Sequence, residues 1–437
     1  MKTLSHGNLL ALGFMTFALF LGAGNVIFPP AAGLVSGTNM WPTALGFLVT
    51  AVGLPLLTLV ALARVGGGMD ALTVPLGRVP GLILAVLVYL SIGPFFATPR
   101  TGVVSFEIGV APFFGEGWLP QLVYTLIFFS VVIWLSLKPG KLVVNIGKIM
   151  TPVLLLALIL LGAAAVLFPA GPVGEAQGGY AESPFIEGIL QGYLTMDTLG
   201  ALVFGIVITT AIQDQQVTSR TLITRYTMIA ALLAALGLAL VYLALFRLGA
   251  TSSSLVTGKA NGGRILSAFV QFRFGLAGSL LLSLVIILAC LTTAVGLISA
   301  CGEFFSRHFP MSHGVWVVSF SAFSLFVSNL GLDGLIQVSI PVLVGLYPLA
   351  IVLVCLGLLL HGWARPQNIM RPVMVVALLF GVVDGLKAAG LMAEDSPAWL
   401  NVLPFASQQL GWLLPTVATL VIAILVDRFR YGRLRLA

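Results

Sequence analysis

Long apolar runs without alternation leave this chain few ways to fold. They fall at about 9–34, 41–63, 81–106, 119–137, 142–169, 188–212, 221–249, 275–304, 315–331, 335–360, 372–391 and 409–427. Most approach or exceed the ~20 residues a helix needs to cross a hydrocarbon core about 30 Å thick. A β-barrel requires alternating strands, and inside lipid only a helix satisfies its backbone polar groups within one segment. The predicted fold is an all-α polytopic membrane protein of twelve transmembrane helices. Composition agrees, with 59% hydrophobic and 8% charged residues, against about 25% charged in a soluble domain. The first run is longer than a signal-peptide core of ~7–15 residues and no clear cleavage site follows it, so it is read as the first membrane helix.

The net charge of +7 is spread too thinly over the loops to form a basic patch, which argues against a nucleic-acid partner. It acts instead as an orientation signal. With the N-terminus in the cytoplasm, that side collects Lys2, Arg64, Arg78, Lys138, Lys141, Lys148, Arg220, Arg225, Arg307, Arg365, Arg371, Arg428, Arg430, Arg433 and Arg435. The outer side keeps Lys259, Arg264 and Arg273, all in one long loop, and the loops near Glu175, Glu182 and Glu187 and near Glu394 and Asp395 hold no Lys or Arg. Both termini are therefore expected in the cytoplasm. Trp41, Trp118, Trp134, Trp316, Trp363 and Trp412 fall near run ends, as an interfacial aromatic belt requires. Cys290, Cys301 and Cys355 lack CxxC spacing and a His cluster, and are expected to be small buried apolar residues rather than metal ligands or disulfides. His6, His308, His313 and His361 lie at the cytoplasmic boundary beside no plausible nucleophile, and no Walker loop occurs. No enzyme constellation, cofactor or obligate protein partner is expected.

Two interruptions recur at matching places. Helix 1 carries Gly22-Ala23-Gly24-Asn25, and helix 6 carries Thr195-Met196-Asp197-Thr198-Leu199-Gly200. Each leads a block of five helices, 9–169 and 188–360, with two further helices at 372–427. Five is odd, so the second block enters from the opposite side, giving an inverted repeat. Broken helices at corresponding positions point to a central transport site. Freed N–H groups at a mid-membrane break suit a carboxylate, and freed carbonyls suit an ammonium or Na⁺. Glycines alone equally allow plain helix packing, but Asn25 beside them is a polar group in hydrocarbon and favours a site. Asp197 is either a ligand for substrate ammonium, cation or proton, or a capping carboxylate. Thr195 and Thr198 offer hydroxyls at the same break. Phe204 and Ile208, four residues apart, share a face that can line an apolar pocket or pack. On helix 8, Ala289, Thr292 and Thr293 can supply neutral oxygens to Na⁺, or the threonines bond back to their own helix. Arg100 and Glu107 are read as a gate or, by preference, a structural pair, Glu303 as a snorkelling helix end, and Asp384 with Lys387 as a one-turn pair.

Four strings carry a family resemblance: ALGFMTFALFLGAGNVIFPP (Ala11–Pro30), GPFFATPRT (Gly93–Thr101), GYLTMDTLGALVFGIVI (Gly192–Ile208) and SNLGL (Ser328–Leu332). With these the chain resembles, over essentially its whole length, the bacterial branched-chain amino acid carriers, the leucine/isoleucine/valine:cation symporters. The resemblance implies uptake of leucine, isoleucine and valine with Na⁺, or Li⁺ for some members, by alternating access. It also implies a leucine-transporter-like fold of five-plus-five inverted repeats, here one transporter domain over 1–437. The residues expected to bind substrate are Gly22, Ala23, Gly24 and Asn25, the motif the resemblance also marks, together with Thr195, Asp197, Thr198, Phe204 and Ile208. A Na⁺ site drawn from the same likeness takes the carbonyls of Ala18, Leu21 and Ala289 and the hydroxyls of Thr292 and Thr293. A second Na⁺ position would use Asn25 with Thr195 or Thr198. Proton coupling through Asp197 or Glu303 on the same architecture is the first competitor. A membrane-embedded enzyme is the alternative from another class, and it lacks a polar catalytic cluster here.

Overall fold

The computed structural model describes residues 3–66, 68–137, 141–256, 261–393, 400 and 403–431; for 141–151, 153, 361, 407 and 431 only the backbone is described. Lys2, Lys138, Lys259, Glu394, Asp395, Arg433 and Arg435 lie outside the described residues, and Lys141, Lys148 and His361 are described by backbone alone. Among the described residues all regular structure is helical.

α1 (His6–Phe20) starts at Ser5, whose hydroxyl accepts the Asn8 N–H at 3.2 Å. It stops at Leu21–Gly22, and α2 (Ala23–Ser36) continues beyond the break. α3 (Met40–Leu48) and α4 (Leu54–Val65) are joined by a π-helical turn, Val49–Gly53, and the short α5 (Met69–Thr73) follows. α6 (Arg78–Leu90) joins α7 (Ala97–Gly109) through a second π turn, Ser91–Phe95, kinked at Gly93 and Pro94. α8 (Ala111–Phe114), α9 (Trp118–Ser136) and α10 (Lys141–Leu167) complete the first block. After α11 (Gly179–Glu182), α12 (Pro184–Tyr193) and α13 (Asp197–Gln213) form a pair bent by 42°. α14 (Arg220–Ala250), α15 (Gly262–His308), α16 (His313–Ser328) and α17 (Leu332–Leu359) follow. α18 (Pro366–Ala388) packs on α17, and α19 (Leu413–Tyr431) on α18.

Each apolar run of the sequence coincides with a helix or a broken pair. Among the described residues seven helical stretches are long and apolar enough to cross a bilayer, or eight if the bent pair α12–α13 counts as one. α1, α16 and Leu154–Leu167 of α10 are apolar but shorter. The expected long outer loop is partly helix instead: Arg264 and Arg273 lie on α15, which begins at Gly262 and turns at Gly275 (φ +60°).

Packing follows a two-fold pattern. α1 and α2 lie along α14, just as α13 and α12 lie along α4 and α3. Reciprocal glycines bring two of these pairs into backbone contact. A Cβ on Gly33 of α2 would fall 2.3 Å from the Phe246 carbonyl oxygen, and one on Gly249 of α14 would fall 2.1 Å from that of Pro30. Between α3 and α12 the same test places Gly46 at 1.9 Å from Phe185 O and Gly188 at 2.0 Å from Thr43 O. In lipid there is no hydrophobic drive between helices, so such close approach supplies the packing.

The outside is apolar, with Trp41, Trp118 and Trp134 exposed as a belt requires. Trp412 is buried, and Trp316 packs against Phe305, Phe309 and Phe320, so these two serve the interior. Cys290 and Cys301 are buried as expected, whereas Cys355 faces outward from α17. Glu303 pairs with Arg307 one turn on and stays exposed.

Candidate functional site

The two breaks meet in the middle of the molecule. At the first, the Gly22 N–H turns to the Phe20 carbonyl (2.7 Å) and to Asn25 Oδ1 (3.3 Å). The Ala18 carbonyl, four residues back, thereby loses its helical donor. At the second, Met196 takes φ +65°, a left-handed conformation that costs a non-glycine residue roughly 1–2 kcal/mol. Thr195 Oγ1 donates to the Gly192 carbonyl (2.8 Å) and accepts the Asp197 N–H (3.5 Å), which stitches this turn.

Asn25, Asp197 and Tyr242 link the breaks. Asn25 Nδ2 donates to Asp197 Oδ2 at 2.6 Å and also to the Tyr242 hydroxyl, which itself donates to Asp197 Oδ2 at 3.0 Å. All three are buried, so the carboxylate is solvated by side-chain dipoles rather than water.

Arg100 enters the same space from α7. Its Nη1 donates to the Leu194 carbonyl at 2.6 Å, its Nη2 to Ser339 Oγ at 3.4 Å, and its guanidinium lies 5.1 Å from the centre of the Phe28 ring. The expected pairing with Glu107 does not form: Glu107 accepts from Asn261 Nδ2 at 3.0 Å, while Arg100 points inward. The kink at Gly93–Pro94 re-aims α7 so that this arginine reaches the breaks.

Between these elements lies a cavity of about 40 Å³, room for two or three waters at about 10–15 Å³ each. Gly22, Ala23, Gly24, Asn25, Thr195, Asp197 and Phe204 line it, as do Arg100 and Thr293. Phe204 meets Phe20 edge-on, with centroids 5.9 Å apart, forming an apolar wall. Ile208 is fully buried but does not line the cavity, and the Thr198 hydroxyl turns away to the Thr50 carbonyl at 3.4 Å. Asp197, Gly200 and Phe204 carry the face of α13 that meets the break; Thr198 lies on another face, and Ile208 a turn beyond.

Of the α15 residues expected to hold Na⁺, Thr293 comes closest to the first break. A Cβ on Gly22 would lie 3.3 Å from its Oγ1. That oxygen is buried and has no hydrogen-bond partner among the described residues. Thr292 instead donates back to the Ala289 carbonyl at 2.9 Å. Ala18, Leu21 and Ala289 are buried around the same crossing of α1 and α15. A hard cation prefers such oxygen donors.

Tyr242, Arg100 and Phe20 are the site residues that sequence reasoning did not place there. A tyrosine in the middle of a 31-residue apolar helix is the signal that could have found Tyr242.

Comparison with known proteins adds the following. The family model described as branched-chain amino acid transport protein matches residues 5–430. The branched-chain amino acid transport system 2 carrier protein of Pseudomonas aeruginosa is 60% identical over 428 residues, covering 98% of each chain. The branched-chain amino acid permease BrnQ of Escherichia coli is 52% identical over 421 residues, covering 96% of each. Among solved structures, Mhp1, a nucleobase-cation-symport-1 family transporter in a closed conformation, matches with a TM-score of 0.62 at 16% identity, over 98% of this chain and 94% of its own. A Na⁺-coupled sialic acid symporter matches with the same TM-score at 14% identity, over 98% and 91%. At such identities the structural likeness establishes the fold alone.

Proposed function

The chain belongs to the branched-chain amino acid transport protein family, and from that premise we propose that it imports leucine, isoleucine and valine together with Na⁺. It is a multi-pass membrane transporter rather than an enzyme. In the proposed arrangement it sits in a bacterial inner membrane with both termini in the cytoplasm, in keeping with its Lys and Arg distribution. The five-helix units 9–169 and 188–360 form the inverted repeat, and 372–427 adds two helices outside it. Alternating access exposes the midplane cavity first to one side and then to the other.

The observation that carries Na⁺ coupling is the buried, unpartnered Thr293 hydroxyl beside the broken end of α1. A buried polar atom without a partner costs about 1–3 kcal/mol, and an ion held with the Ala18, Leu21 and Ala289 carbonyls relieves that cost. Rotation of Thr292 off its own helix would complete the set. Hydroxyls and carbonyls carry no net charge, so the site empties each cycle without leaving a bare carboxylate. The substrate lies against Gly22–Asn25 and the Thr195–Asp197 turn, with its side chain toward Phe20 and Phe204. A second reading, proton coupling, draws on the fully enclosed Asp197 carboxyl between Asn25 and Tyr242.

Purified protein in proteoliposomes, with Na⁺ and H⁺ gradients imposed separately, tests the two readings. Leucine uptake should follow the Na⁺ gradient, and Thr293→Ala should raise the Na⁺ concentration for half-maximal uptake about tenfold, the loss of roughly one hydrogen-bond-sized interaction. Uptake driven by H⁺ alone and abolished by Asp197→Asn would overturn Na⁺ coupling.

A further inference from the structure

Arg100 is 2% exposed, and every contact it makes is with a neutral group: the Leu194 carbonyl, the Ser339 hydroxyl and the Phe28 ring. Its Nε has no hydrogen-bond partner among the described residues. Ion pairs among the described residues join Arg264 to Glu116, Arg307 to Glu303 and His308 to Asp70, and none includes Arg100. Burying a guanidinium without a matching anion is expensive, and proteins accept that expense chiefly at binding sites. The position reinforces the point. Arg100 lines the cavity, and its Nη1 lies 3.2 Å from where a Cβ on Gly24 would sit, beside the start of α2. Asp197 stands in the complementary situation. It lines the same cavity, accepts from two neutral donors and is likewise in no ion pair among the described residues.

One cation and one anion thus face a single small cavity, each held by dipoles and not joined in a direct ion pair. A zwitterion carries the opposite two charges. We propose that Arg100 is the residue that binds the α-carboxylate of the transported amino acid, with Asp197 taking its ammonium. This rests on the reading of the chain as an amino-acid carrier and goes beyond it, by assigning substrate polarity to a residue outside both helix breaks. A guanidinium can grip a carboxylate through two parallel N–H···O bonds. The N–H groups at the start of α2 face the same place and add to the field. The bound carboxylate would then bridge α7 to α2 and, through Leu194, to α12.

The test compares L-leucine with L-leucinol, which has the same side chain and amine but a hydroxymethyl group for the carboxylate. Binding to purified protein is measured by equilibrium dialysis. The wild-type protein should prefer leucine by about 100-fold or more, the usual penalty for leaving a buried charge unmatched. Arg100→Gln keeps a donor for the Leu194 carbonyl and should lose about that factor for leucine while leucinol is unchanged, so the ratio collapses. Arg100→Lys, with charge but no planar fork, should fall between. Leucinol binding as tightly as leucine to the wild type would overturn the assignment, and so would Arg100→Gln weakening both ligands equally. If Arg100→Gln does not fold, the wild-type ratio and Arg100→Lys decide. A wild-type protein that binds no branched-chain amino acid removes the carrier reading itself. One that binds leucine with no dependence on the carboxylate removes only the role of Arg100.

Discussion

Replacing Gly24 by alanine should weaken leucine binding without unfolding the protein. A Cβ at this position would sit 3.2 Å from Arg100 Nη1 and 3.3 Å from both the Cα and the carbonyl oxygen of Thr195. Each distance is a few tenths of an ångström inside ordinary contact, and none of the three atoms is free to give. Two belong to the backbone of the second break, and the third is tied to the Leu194 carbonyl at 2.6 Å. Overpacking of this kind costs typically 1–3 kcal/mol. The better helix propensity of alanine returns roughly 0.5–1 kcal/mol. The net of about 0.5–2 kcal/mol is a loss of stability, and a displacement of the same size in the Arg100 and Thr195 atoms that line the cavity makes leucine bind about 2- to 30-fold weaker. Valine adds two more carbons with a stiff χ1 and should abolish binding. Gly53→Ala in the π turn is the control, because its nearest neighbour would be 3.7 Å away. Titration calorimetry of leucine on purified protein, paired with thermal melting, reads both quantities. The placement of the substrate at the first break is refuted if Gly24→Ala and Gly24→Val bind leucine as tightly as Gly53→Ala does.

Three further outcomes follow from the same geometry. Tyr242→Phe removes the hydroxyl that Asn25 and Asp197 share; it should weaken leucine binding about 10- to 150-fold, from ~1.5–3 kcal/mol for a hydrogen bond to a charged group, and an unchanged affinity would dismiss the triad. Gly46→Ala drives a Cβ to 1.9 Å from the Phe185 carbonyl oxygen; melting should show a loss of about 3 kcal/mol or more, and wild-type stability would mean that α3 and α12 do not touch there. In a pocket walled by Phe20 and Phe204, one methylene changes affinity by ~1–3 kcal/mol, so leucine, isoleucine and valine should compete with one another in uptake assays; strong competition by glutamate would contradict an apolar wall.

Much of this architecture was legible because lipid imposes it. Every apolar run became a helix or a broken pair, since a continuous run in hydrocarbon has no other way to satisfy its backbone. Gly22–Asn25 and Thr195–Asp197 stood out because polar groups and glycines interrupt runs that otherwise have none, and the structure brings both into one cavity. Direction around a helix was harder to read. Ile208 shares a face with Phe204 on an ideal helix, yet it packs away from the cavity, because the bend at Met196 fixes which turn of α13 faces the break. Arg100 was misplaced for a related reason. Seven-residue spacing puts Glu107 on the same face, but two turns set the pair about 10.5 Å apart along α7, and Arg100 reaches Leu194 while Glu107 takes Asn261. Long-range partners such as Tyr242 and Ser339 are set by tertiary packing, which spacing along one helix does not encode.

The glycine contacts of the broken helices make the molecule stiffer at one end than at the other. α2 meets α14, and α12 meets α3, backbone against backbone, through Gly33, Gly249, Gly46 and Gly188. The remaining halves are seated differently. On α1, Gly13 abuts the side chain of Leu233 and Phe17 abuts Gly237 of α14, while on α13 Gly205 abuts the Leu62 side chain. A side chain has other rotamers to adopt, whereas a carbonyl lodged against a facing backbone has none. In the orientation proposed above, α2 and α12 are the outer halves and α1 and α13 the cytoplasmic ones. Compliance is thus concentrated on the cytoplasmic side. In that proposed arrangement the outer halves move as one unit with the backbones they touch, and release of cargo inward becomes a matter of reseating a few leucine and phenylalanine side chains.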